Sequence, residues 1–147
     1  MFDTKTITGS LFSHWADQFP LSAPTIYPGT EVDLADAVEW IDLALDAWSD
    51  RAGREIGKRM LSVTVAVHCF AKPSTDHGRA DELADAARAT LAGRTIAVRD
   101  ADESGLPVVG YLKLFEAQVR DLSRSARDTG GGLRHVAIRV SGIAEEV

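Results

Sequence analysis

Cysteine is almost missing from this sequence. Cys69 is the only one in 147 residues, so no intrachain disulfide can form and no zinc site can be built on paired thiolates. A reducing compartment is the expected setting. Long hydrophobic runs are missing as well. No apolar stretch approaches the ~18–20 residues that span a bilayer, and the opening MFDTKTITGSLF lacks the basic-then-apolar order of a signal peptide. The expectation is a protein that stays where it is made and has no membrane partner. Positive charge is in deficit too: 16 Lys and Arg stand against 22 Asp and Glu, a net −6. That balance argues against a broad grip on nucleic-acid backbone, which needs clustered cations to release phosphate counterions. It leaves room for a protein that DNA merely passes.

Catalytic and cofactor signatures are equally scarce. There is no G-x-S-x-G, no Walker loop and no G-x-G-x-x-G, and Gly130-Gly131-Gly132 precedes a strand pattern and not a helix. His14, His68, His77 and His135 form no i,i+4 pair and no H-x-E-H pattern, so they carry no local zinc spacing. Asp100 to Gly105 matches the opening of a calcium loop, but the twelfth position is Tyr111 where a bidentate Glu is needed. An acidic, glycine-containing turn explains the same residues. His68 and Cys69 are adjacent, which on a strand sends them to opposite faces. No metal and no cofactor are expected.

What is present is periodicity. Ile7, Leu11, Trp15 and Phe19 recur at steps of four and predict an amphipathic helix over residues 7–19, ended by Pro20. Residues 20–30 read as a crossing loop carrying Tyr27. Residues 33–48 fit both helix and strand spacing. The preferred reading is a short helix over Leu34–Val38 capped by Asp33, then a strand from Trp40 to Trp48 with Asp42 and Asp46 facing outward. Leu61, Val63, Val65, Val67 and Cys69 alternate with smaller or polar residues in a strand over 60–70. A helix capped at Thr75 or Asp76 follows, with Leu83, Ala86 or Ala87 and Leu91 on one face and Gly93 at its end. Residues 95–99 form a short strand and 100–107 a turn. Residues 110–122 fit either period, and 133–143 form a final strand that pairs with them as a hairpin. The sum is an α+β fold: a mainly antiparallel sheet flanked by an N-terminal helix and a central helix.

Charge is polarised along the chain. Residues 1–50 hold nine acids and one base, whereas residues 51–59 hold four bases and one acid. Arg51, Arg54, Lys58 and Arg59 lie between two strands, as a solvated hairpin tip or as a contact surface. Arg pairs bidentately with carboxylates, and the segment from Glu31 to Asp50, including Asp42 and Asp46, offers acids on which a neighbouring copy could place these bases. A subunit with separate positive and negative patches can assemble head to tail.

Tyr27-Pro28-Gly29, Glu39-Trp40-Ile41, the charged loop to Gly57, Leu61 to Val67, Phe70-Ala71-Lys72-Pro73 and Gly78 leading into the Ala80–Leu91 helix together resemble the lambda-type tail terminator (tail completion) proteins of long-tailed bacteriophages. The likeness spans roughly residues 10–143 as an order of elements. It implies an α+β fold and a homo-hexameric ring at the head-proximal end of the tail tube, where tube growth stops and the tail joins the head. The partners it implies are further copies of the chain, the tail tube protein and the head–tail connector protein, with DNA passing through the ring without specific binding. It also implies assembly in the bacterial host cytoplasm, a place in the virion tail at the head–tail junction, no enzyme activity and no cofactor. A head-closure or connector protein is the alternative within assembly. A small ligand-binding or enzymatic domain, with a cleft near Trp40, Trp48, His68 and His135, is the alternative from another class.

Overall fold

The computed structural model describes residues 1–53, 55–72, 78–123 and 133–147. Helix α1 spans Thr4–Gln18, three residues earlier than the apolar stripe alone indicates. Its start is set by Asp3: the carboxylate accepts from Thr6 N at 2.8 Å while the Thr6 hydroxyl accepts from Asp3 N at 3.0 Å, a reciprocal cap that satisfies two otherwise orphan donors. Ile7, Leu11 and Trp15 are buried from it, as their spacing requires.

The strands are β1 Thr25–Ile26, β2 Glu39–Arg51, β3 Met60–Ala71, β4 Thr95–Arg99, β5 Val108–Asp121 and β6 Arg134–Glu146, and helix α2 spans Arg79–Leu91 between β3 and β4. The six strands make one sheet in the order β1-β2-β3-β6-β5-β4, antiparallel throughout except for the two-residue β1 beside β2. The fold is α+β, with the N-terminal and central helices that the sequence predicts.

Both helices cover the same side of the sheet. α1 packs on β4, and α2 on β6, β3 and β5. Ile41, Leu43, Val65, Val67, Cys69, Leu112, Ile138 and Val140 point into this layer and are buried. Each such side chain contributes roughly 1.5–3 kcal/mol on leaving water. Burial pushes the Cys69 thiol up to about 12, so it stays protonated and behaves as a small apolar side chain. Gly93 takes φ +70° just after α2, the left-handed conformation that ends a helix.

Four readings of the sequence are corrected. Residues 34–38 form a turn and not a helix: Asp33 accepts from Ala35 N at 2.9 Å, Ala37 N donates to Leu34 O at 3.1 Å, and Val38 is 62% exposed. In β2 the register shifts between Leu45 and Ala47, and in β5 between Leu114 and Ala117. These bulges flip the side-chain parity, so neither simple period runs through either strand. The loop after Phe19 also contains β1. Helix α2 starts at Arg79 with Gly78 at its N-cap and no side-chain cap, so the cap expected at Thr75 or Asp76 is corrected; those two residues and the triple glycine lie outside the described residues. The Asp100 turn is an anchor for the chain start: its carboxylate accepts from the Met1 amine and from Asp102 N.

Candidate functional site

With both helices on one face, the other face of the sheet carries no helix among the described residues, and its residues follow from the register. Trp40, Phe70 and His135 form one row across β2, β3 and β6; Asp42, His68, Ala137 and Arg120 form the next across β2, β3, β6 and β5. Phe70 stacks on His135 at 4.2 Å between ring centres, and Trp40 on Phe70 at 5.1 Å. His68 Nδ1 lies 2.7 Å from His135 Nε2. One of these nitrogens donates and the other accepts, so the contact requires at least one neutral imidazole.

The electrostatics follow from half-burial. Burial first, and the facing His68 second, hold His135 below its ordinary 6.5, while Asp42 and Asp121 pull the other way. Burial raises the Asp42 carboxyl above 3.8, opposed by His68 and His135. Between its depressed value and 6.5, His135 binds fewer protons in the fold than in the unfolded chain, so its contribution to stability falls as pH drops through that window. Asp42 acts with the opposite sign at lower pH, where stability is lost as pH rises through its raised value. The melting temperature is therefore expected to fall between pH 7 and pH 5, and His135→Gln to flatten that decline; an unchanged decline in the variant would contradict the assignment.

Trp48, grouped with Trp40, His68 and His135 by sequence, is not among them. It pairs with Val63 beyond the β2 bulge and shares the helix-covered parity, at an end of the sheet where it is 53% exposed. No hydroxyl or thiol hydrogen-bonds either imidazole among the described residues, so the geometry supplies no nucleophile–base pair. Among the described residues no group of three or more His, Cys, Asp or Glu side chains is placed to hold a metal ion. No helix among them is long and apolar enough to cross a membrane.

The bases between β2 and β3 do lie in one hairpin, with partners of their own. Lys58 pairs with Glu55 at 3.2 Å; Arg59 pairs with Asp50 at 3.4 Å and donates to Phe2 O. Arg51 has no ion pair among the described residues, and Arg54 lies outside them. Of the acids, Asp46 sits at the β2 bulge and pairs with Arg139 at 2.8 Å, while Asp42 sits opposite His68. The structure thus separates the expected set into a hairpin end (Arg51, Lys58, Arg59) and a mid-sheet pair (Asp42, Asp46).

Compared with models of known protein families and with curated proteins, the sequence matches none.

The sheet edges complete the surface. β1 pairs with β2 only at Ile41 and Asp42, and β4 pairs with β5 only as far as Lys113. Among the described residues, 43–51 of β2 and 116–121 of β5 therefore have no strand on their outer sides. These free edges lie on opposite sides of the sheet and carry exposed Trp48 and Val119, with Phe115 at the β5 bulge. Sequence periodicity does not reveal the edges, because what leaves them open is the shortness of β1 and β4.

Proposed function

We propose that the protein is a structural assembly subunit that closes a homo-oligomeric ring at the head-proximal end of a phage or phage-derived tail tube, ending tube growth and joining the tail to the head connector. The ring is hexameric by the family resemblance, and DNA passes through it without specific binding. The observation that carries the reading is the pair of unpaired edges on opposite sides of one sheet. An open edge with apolar side chains is a template for another strand, and two different edges on opposite sides generate head-to-tail contacts that close into a ring when the rotation allows.

In this reading the hairpin arginines Arg51, Arg54 and Arg59 meet acids of the next subunit, with Asp42 and Asp46 among the candidates. Exposed ion pairs contribute only ~0–1 kcal/mol each, so they select register while apolar edge contacts supply most of the affinity. Rings are expected to survive moderate salt. Reversing Arg51, Arg54 and Arg59 to Glu together is expected to yield smaller species of unchanged circular dichroism in light scattering; intact rings would remove the arginines from the interface. The functional test is to incubate growing tail tubes with the protein and image them. Rings on one end of each tube and arrested elongation are expected, whereas bare ends and continued growth would overturn the proposal.

A further inference from the structure

Beside His68 the helix-free face holds a dent of about 240 Å³. Its floor is Ala66 and Ala137, which are 5% and 6% exposed although no helix covers them. The dent exists because two methyl groups lie among long neighbours: His68 in the row of Ala137, and Gln118, Arg120 and Arg139 on β5 and β6. Arg139 is committed to Asp46 at 2.8 Å. Arg120 has no ion pair or side-chain hydrogen bond among the described residues. The site therefore offers a guanidinium with no ion pair among the described residues, an imidazole and an apolar floor, bordered by the Asp46–Arg139 pair.

The complementary surface lies before β2. Glu31, Asp33 and Asp36 are exposed and have no ion pair among the described residues. Val32 and Val38, 45% and 62% exposed, flank them with apolar side chains. This segment is held at the far end of β3, where Lys72 N donates to Val38 O at 2.8 Å. The Trp40–Phe70–His135 row lies between it and the dent of its own chain. Its acids are thus opposite in charge to Arg120 in a dent that the described residues of its own chain do not fill.

We propose that the Arg120 dent receives the acidic segment 31–36 of a second copy of the chain, a contact that rests on the ring reading above. Asp36 or Glu31 reaches Arg120, and Val32 covers the alanine floor. The two surfaces are different parts of the chain: the segment precedes β2, whereas the dent lies across the middle of the helix-free face, on β3, β6 and β5 with Asp46 of β2 at its border, so the contact is heterologous. Enclosing the pair over the dent removes water that weakens exposed ion pairs, so the contact sets register.

The test uses two full-length variants, Asp36→Cys and Arg120→Cys, each treated alone and as a mixture with a short bismaleimide, then resolved on a denaturing gel. Cys69 is fully buried and gives no background. Crosslinked dimers are expected in the mixture and in neither preparation alone. As a second readout, Arg120→Glu is expected to weaken assembly by about tenfold in concentration, and adding Glu31→Lys and Asp36→Lys to restore it. No crosslink in a mixture that still forms wild-type-sized assemblies overturns this contact and leaves the ring standing. A dimer in either preparation alone indicates a symmetric contact and overturns it as well. A wild type that never assembles overturns the ring reading, and this contact with it.

Discussion

Val65→Asp is expected to leave no soluble, cooperatively melting protein. Val65 is fully buried at the centre of β3, opposite Leu45 on β2 and Val140 on β6. The substitution forfeits roughly 1.5–3 kcal/mol of apolar burial and places a carboxylate where neither facing side chain can pair with it, at a cost of several more. Total stability for a domain of this size is only about 5–15 kcal/mol. The neighbouring Thr64→Asp is the control. Thr64 faces the opposite side, between Ala47 and Ser141, and is partly exposed, so its variant is expected to fold. Far-ultraviolet circular dichroism and thermal melts of the two variants decide the matter: a Val65→Asp protein that melts like wild type would contradict the assigned face.

Gly142→Val is expected to cost about 3 kcal/mol, for a reason that lies in the β5 bulge. Gly142 sits on β6 between Val63 of β3 and Leu114 of β5. A Cβ there would lie 2.5 Å from Lys113 O and 2.8 Å from Leu114 Cδ2. The first neighbour is backbone and has no rotamer to change, so the strands must separate where the register already shifts. Gly9 gives the opposite sign. It lies inside α1 with nothing within 4 Å of an added Cβ, so Gly9→Ala is expected to stabilise by about 0.5–1 kcal/mol. Denaturant melts of both variants give the two free energies, and a neutral Gly142→Val would refute the close approach of β5 and β6.

These residues also show what could be read from the chain alone. β3 was legible because its alternation is uninterrupted and one face is buried along its whole length. α1 and the buried face of α2 were legible because Leu11, Trp15, Leu83 and Leu91 repeat at helical spacing and dock on the sheet. β5 was not, since the bulge after Leu114 is fixed by pairing with Gly142 on another strand, and a local window holds no trace of that register. The short helix over 34–38 failed for a related reason. Leu34 and Val38 have helical spacing, but a single turn needs a surface to pack on, and Val38 is mostly exposed. On the helix-free face, His68 and His135 are 67 positions apart, and only the β3–β6 register brings their rings together. The sequence named Trp40, His68 and His135 together but added Trp48, which the β2 bulge carries to the other face. The polarised charge was legible at once, while the intrachain pairs that take up Lys58, Arg59 and Asp46 were not.

If copies of this chain close into a ring through two different surfaces, as proposed, the native mass of the purified protein shows it directly, measured by light scattering across a wide concentration range. One discrete species larger than a dimer is expected, six times the chain mass by the family resemblance, with no further growth as concentration rises. A monomer mass at every concentration would contradict it, as would open-ended growth.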